Sequence, residues 1–153
     1  MIRRLLHNGI LAMWTALILM SLLGCSDVRN RGALFLEEPE IRKAAQRYLD
    51  AEVRRDLKEA YACLAPSSAY MTTNPSYEDY LKEAQTSSSR IIDYKILEIS
   101  KLRDNHDREK YPRIEKFVQV EVDVTVSFED NKKTVPVNYS FTFIKEDGKW
   151  YKG

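Results

Sequence analysis

Cysteine is nearly missing from this chain of 153 residues, with only Cys25 and Cys63 present. Histidine is as scarce, at His7 and His106 alone. That leaves no cluster of metal-ligating side chains near either cysteine and no His beside a thiol nucleophile in sequence. A Gly-rich phosphate loop is absent, and so is a Gly-x-Ser-x-Gly nucleophile elbow. An excess of one charge is also lacking: 24 Lys and Arg face 23 Asp and Glu, and the two signs interleave. Such a balance gives no electrostatic footprint for nucleic acid. No segment repeats, and no long low-complexity stretch interrupts the chain.

What the chain does have begins at its start. No acidic residue precedes Asp27, Arg3 and Arg4 make a positive tip, and residues 10–23 are apolar except for Thr15 and Ser21. This is the layout of an export signal. The apolar run is short for a membrane-spanning helix, which needs about 20 apolar residues. The stretch Leu22-Leu23-Gly24-Cys25 then resembles the lipobox of bacterial lipoproteins. The resemblance implies cleavage between Gly24 and Cys25, lipid on the Cys25 thiol, and acylation of the new amino terminus. Two or more acyl chains anchor stably to a bilayer, where one binds only marginally. Ser26 in place of an aspartate at that position implies sorting to the outer membrane, facing the periplasm. An uncleaved signal anchor and a soluble secreted product are the competing readings. With Cys25 acylated, Cys63 stands alone and no internal disulfide is expected.

Removing residues 1–24 from 153 leaves 129 residues, enough for one domain with a core. Residues 25–37 read as the lipidated amino terminus and a tether, carrying the apolar cluster Leu34-Phe35-Leu36. Glu38-Pro39-Glu40 reads as a helix entry, with Pro in the first turn and acids near the positive end. Ile41, Ala44, Ala45, Tyr48, Leu49 and Val53 then follow helical spacing with one buried face. Asp56 with Glu59 is a capping box opening a second helix, whose face is Leu57, Ala60, Tyr61 and Leu64. The two helices meet near Arg54-Arg55, or form one helix with a bend. Residues 65–75 read as loop, and Ser76 with Asp79 caps a short third helix through Ala84.

From Arg90 the period changes from helical to two. Residues 91–100 form a β-branched strand, and residues 102–113 a charged connection. Val118, Val120, Val122, Val124, Val126 and Phe128 alternate with polar residues, the mark of an antiparallel strand covered on one side. Val135, Val137, Tyr139, Phe141 and Phe143 share one side of the next strand, in which Pro136 predicts an edge or a bulge. Glu146-Asp147-Gly148-Lys149 is a hairpin turn before a short last strand at Trp150-Tyr151.

Three features together resemble the nuclear transport factor 2-like proteins. They are the helix break at Arg54-Arg55-Asp56, the exit from Ala60-Tyr61 to Leu64-Ala65-Pro66-Ser67, and the strand and hairpin from Phe143 to Trp150. The resemblance covers residues 38–153 and departs at the last strand, which Gly153 leaves short. It implies an α+β domain in which a curved antiparallel sheet wraps around helices and leaves a cone. In ketosteroid isomerase and polyketide cyclase relatives the cone mouth is an active site; in many envelope members no activity is implied.

An isomerase-like site needs a carboxylate or His inside the apolar cone, with an oxyanion donor opposite. The inward row Val118–Phe128 supplies none. Tyr61, Asp93, Tyr94 and Tyr139 are the polar groups nearest to facing the cone. Structural roles suit them as well, since a tyrosine buries its ring and finds one hydrogen bond, and Asp93 falls on the wet face. His106 lies in a charged loop without a second ligand, and Cys63 reads as a small buried hydrophobe. No cofactor, metal or catalytic residue is expected. The expectation is a membrane-anchored envelope lipoprotein whose non-catalytic domain binds a small apolar ligand or a protein partner, with Phe117 on the polar face pointing to a partner surface. A cone-site enzyme of the cyclase, isomerase or dehydratase kind is the alternative, and a scaffold subunit of an envelope complex is the third reading.

Overall fold

The structure, a computed structural model, describes residues 25–73 and 76–153, with side chains from residue 31 onward. The export signal and the Gly24–Cys25 junction therefore lie outside the described residues. The chain divides into two compact units, 1–35 and 36–153. Four helices precede four strands. The helices are α1 (Cys25–Arg54), α2 (Leu57–Ala62), α3 (Ala69–Thr73) and α4 (Tyr77–Thr86). The strands are β1 (Ser89–Asp104), β2 (Ile114–Phe128), β3 (Lys133–Glu146) and β4 (Lys149–Lys152), antiparallel in the order β1-β2-β3-β4. Among the described residues no helix is long and apolar enough to cross a membrane.

Two sequence expectations need correction. The helix entry expected at Glu38-Pro39-Glu40 is not an entry, because α1 is already helical from Cys25 and Pro39 lies inside it. Proline lacks the amide that would reach the Phe35 carbonyl, so the ladder loses one bond there. That gap coincides with the division between the two units. Residues 65–75 are not all loop either, since α3 forms over Ala69–Thr73. Ser68 starts it: its hydroxyl accepts from the Met71 amide at 3.2 Å. A hydroxyl in that position satisfies one of the orphan donors of a helix start.

The break after α1 follows the expected residues. Arg55 takes a left-handed φ of 53°. The Asp56 amide then donates to the Ala51 carbonyl at 2.9 Å, and the Arg55 amide to the Glu52 carbonyl at 3.1 Å. This pair of bonds is a Schellman ending. Asp56 next caps α2 by accepting from the Glu59 amide at 3.1 Å. The Glu59 side chain does not complete a capping box, because Arg47 holds it. Ser76 caps α4, accepting from the Asp79 amide at 3.2 Å.

In the sheet, Val118, Val120, Val122, Val124 and Val126 are buried as the alternation requires. The matching row on β3 is buried at only one end. Phe143 is 1% exposed, while Val135 and Tyr139 are 41% and 48% exposed. Pro136 pairs with Thr125 in unbroken register, and β4 reaches only as far as Phe143, so Pro136 lies on an edge without a bulge. Bulges occur instead in β1, after Ile91, Ile96 and Ser100. They bend a strand and sharpen its twist, which curves the sheet. Ile92 and Leu97 are the residues thrown outward at the first two. Asp147 and Gly148 both have positive φ, at 49° and 75°, as a two-residue hairpin turn requires.

Helix α1 buries Ile41, Ala45 and Leu49 on one stripe. It is joined to each strand by a named contact. Asp50 accepts from the Tyr94 hydroxyl of β1 at 2.7 Å, Tyr48 meets the Phe141 ring of β3 at 6.1 Å, and Glu37 reaches β2, β3 and β4.

Candidate functional site

The α4 end of the domain holds a cavity of about 290 Å³. Tyr48, Glu52 and Arg55 come to it from the last turns of α1. Leu57 and Leu64 flank α2, Tyr70 comes from α3, and Tyr80, Glu83 and Ala84 from α4. The start of β1 adds Ser89 and Arg90, and Lys152 closes the far side from β4. The helical spacing that made an apolar stripe on α1 also puts Tyr48 and Glu52 one turn apart on its flank.

Glu52 is the chemically unusual group. Burial pushes its carboxyl above the usual carboxylate range, against a hydrogen bond from the Tyr48 hydroxyl and the nearby charge of Lys152. Tyr48 is shifted up in turn, first by burial and then by the Glu52 charge. Burial pulls the Lys152 ammonium down, with Glu52 partly opposing. A carboxyl and an amine that both lean toward neutrality share one low-dielectric space.

Tyrosines line the helical wall. Tyr61 lies 5.4 Å from both Tyr77 and Tyr80, and Tyr70 lies 6.2 Å from Tyr80, ring centre to ring centre. The Tyr70 hydroxyl donates to Glu83 at 2.7 Å, and burial first, then Glu83, raises its pKa to about 12. Burial raises Tyr80 as well. Tyr70 and Tyr80 thus bring to the cavity an apolar ring face and a hydroxyl that remains a donor.

The four residues singled out from sequence are not brought together. Tyr61 belongs to the tyrosine cluster behind the cavity wall. Asp93 is exposed and lies with Tyr94 along a shallow groove on the sheet beside Asp123 and Asn138. Tyr94 turns its hydroxyl to Asp50, and burial followed by that bond raises its pKa to about 12. Tyr139 is half exposed beside Phe141, 5.7 Å away. None of the four lines the cavity. Glu52 and Tyr48 carried one legible signal: Glu52 interrupts the apolar stripe one turn after Tyr48, and it does so at a helix end where the dipole favours cations. Lys152 carried none, since its direction depends on the pairing of β4.

The remaining candidates fall elsewhere. His106 is exposed in a loop that the buried Asn105 organises, donating to the Tyr111 and Ile114 carbonyls at 2.8 and 2.9 Å. Cys63 is buried, and burial raises its thiol pKa, which keeps it an inert thiol. Phe117 is not a free surface ring as expected. It packs against the Ala65, Ile114 and Ile144 cluster with Arg103 5.3 Å over its face.

A second polar centre lies by the β3–β4 hairpin. Glu37 accepts from Lys116 at 2.9 Å, from Lys145 at 2.8 Å and from the Trp150 indole at 3.1 Å. Burial alone would raise its pKa, but these donors outweigh burial and hold the carboxyl at about 2. Glu146, 1% exposed, accepts from the Ser67 amide and hydroxyl and pairs with Arg113. Glu37 and Glu146 are thus both held by several donors, and together they fasten this end.

No protein-family model matches the chain, and no curated protein does either. Among solved structures it is similar to a ketosteroid isomerase-like protein from Erwinia carotovora atroseptica SCRI1043. The TM-score is 0.50 at 18% identity, covering 76% of this chain and 90% of that one. Identity at that level speaks to the fold alone. Helices followed by a curved four-stranded antiparallel sheet make this an α+β domain of the ketosteroid isomerase-like, nuclear transport factor 2-like fold.

Proposed function

We propose that this protein is a lipoprotein of the bacterial envelope, held in the outer membrane by acylated Cys25, whose domain binds a small, largely apolar molecule on the periplasmic side. The observation that carries the binding role is the cavity at the α4 end, walled by tyrosine rings and by Leu57, Leu64 and Ala84. Apolar walls with a few convergent polar groups are the usual makeup of a ligand site. The cavity makes a small molecule the occupant favoured here over a protein partner.

The test is recovery of the occupant. The protein is isolated from its membranes, and the small molecules that leave it on denaturation are compared with those from an Ala84→Trp variant, whose added ring fills the cavity. Wild type should release a class of apolar compound that the variant lacks. Matching profiles would refute the binding role. Mass spectrometry of the mature amino terminus tests the anchor separately: an acylated Cys25 is expected, and a free thiol or an intact leader refutes it.

A second reading, proton transfer of the isomerase, cyclase or dehydratase kind, draws on one observation, the half-buried Glu52 beside Tyr48. A carboxyl of raised pKa next to a hydroxyl donor is suited to moving a proton at a bound carbonyl compound. Turnover of an enone by wild type and its loss in Glu52→Gln would support it. Inertness of both toward a ligand that binds would end it.

A further inference from the structure

We propose that the molecule taken up by the cavity is an amphipathic anion, a single carboxylate on an apolar body, with Lys152 as its counter-ion. This deepens the cavity-binding reading and rests on it.

Phe143 pairs with Lys152 and Ile144 with Tyr151. Directly paired residues of an antiparallel ladder project to the same face. Phe143 is 1% exposed, so Lys152 projects inward, where the alternation calls for an apolar residue. Its backbone cannot turn away, because it is clamped on its other side too. The Lys152 amide donates to the Cys63 carbonyl at 2.8 Å, and the Lys152 carbonyl accepts from the Ala65 amide at 2.7 Å. A lysine driven inward and held there breaks a local rule, and such violations concentrate at functional sites.

Around the cavity, Glu52 accepts from the Tyr48 hydroxyl and acts on Lys152 as a nearby charge, Glu83 accepts from the Tyr70 hydroxyl, and Arg55 pairs with Glu129 at 3.1 Å. Lys152 and Arg90 are left. Lys152 donates to the Gly153 carbonyl oxygen and lies 5.9 Å from the Phe141 ring and 6.0 Å from the Tyr48 ring. Among the described residues, neither Lys152 nor Arg90 has an Asp or Glu side chain within ion-pair distance. These two cations on the cavity wall, Lys152 half-buried and Arg90 exposed at the rim, offer an anionic headgroup its counter-charge. The burial that disfavours the Lys152 ammonium is relieved when a carboxylate arrives beside it.

The experiment titrates the full chain in lipid nanodiscs with decanoate and with decan-1-ol by calorimetry, subtracting empty nanodiscs. Decanoate should bind about tenfold more tightly than decan-1-ol, the scale of one charge-assisted contact. Lys152→Met should abolish that preference, and Lys152→Arg should retain it. Should Lys152→Met fail to fold, Arg90→Gln at the exposed rim serves instead, weakening decanoate while leaving decan-1-ol unchanged. Equal affinities in wild type, or a preference untouched by the neutral substitutions, would overturn the anion. Binding of neither compound would instead bring down the cavity-binding reading beneath it.

Discussion

Glu37 and Glu52 lie on the same helix about four turns apart, and burial pushes both carboxyls in the same direction. They end at opposite extremes because their neighbours differ. Glu37 meets two ammonium groups and an indole N–H, each in hydrogen-bond contact, and stays ionised down to about pH 2. Glu52 has one tyrosine hydroxyl in contact and the charges of Lys152 and Arg55 nearby, so burial outweighs them and its pKa is raised. Desolvation sets the cost of a charge, and the number of donors in contact decides whether it is met. One end of the helix is thereby a fastening, and the other is a site with chemistry left to offer.

The comparison can be broken most sharply at the hairpin end. Glu146→Ala leaves the Ser67 donors and Arg113 without their acceptor, and chemical denaturation should show a loss of roughly 4 kcal/mol. Glu37→Gln should cost somewhat less, roughly 3 kcal/mol at pH 7, because Lys116 and Lys145 retain some water. Its pH dependence is the sharper measurement. The folded pKa is about 2 and lies below the unfolded value, so the Glu37 contribution is present above pH 4.5 and lost as pH falls toward 2. Wild type and Glu37→Gln should therefore converge in stability over that window, and a gap that persists at its lower end would contradict the fastening.

Smaller effects are expected away from that end. Tyr94→Phe removes the 2.7 Å bond to Asp50 and should cost about 1 kcal/mol by the same denaturation. Glu52→Gln should be the mildest and of opposite sign, neutral or stabilising by up to about 1 kcal/mol at pH 7. Its carboxyl is raised in the folded state, so wild-type stability declines as pH rises from 4.5 through the folded pKa, and the variant should lack that decline. A clear destabilisation by Glu52→Gln would mean that this carboxylate is a fastening like Glu37.

The contrast also marks how far the chain could be read without coordinates. Asp56 and Ser76 were legible as caps, because a cap is a contact across three residues. The valine row of β2 was legible because alternation is a property of one strand. The helix start expected at Glu38-Pro39-Glu40 falls too late, since Pro39 normally opens a helix and nothing local to it reveals the preceding turns. Asp93 and Tyr139 were chosen by type and strand position, yet β1 bulges beside Asp93 and β3 runs out of cover at Tyr139. Glu52 falls on the apolar stripe of its helix, but that local position does not show which groups it meets.

The residues alone determined the order of helices and strands apart from α3, the helix break at Arg55, the hairpin at Asp147-Gly148 and the resemblance at Cys25. Those features rest on interactions within a few positions of one another, or on a period along one element. Only the tertiary structure decided which carboxylate is satisfied and which is not. Glu37 finds its donors on strands β2, β3 and β4, and Lys152 is aimed inward by its pairing with Phe143 and its clamp at Cys63 and Ala65. A side chain's charge state depends on groups far away in the chain, and no local pattern records where those groups will be.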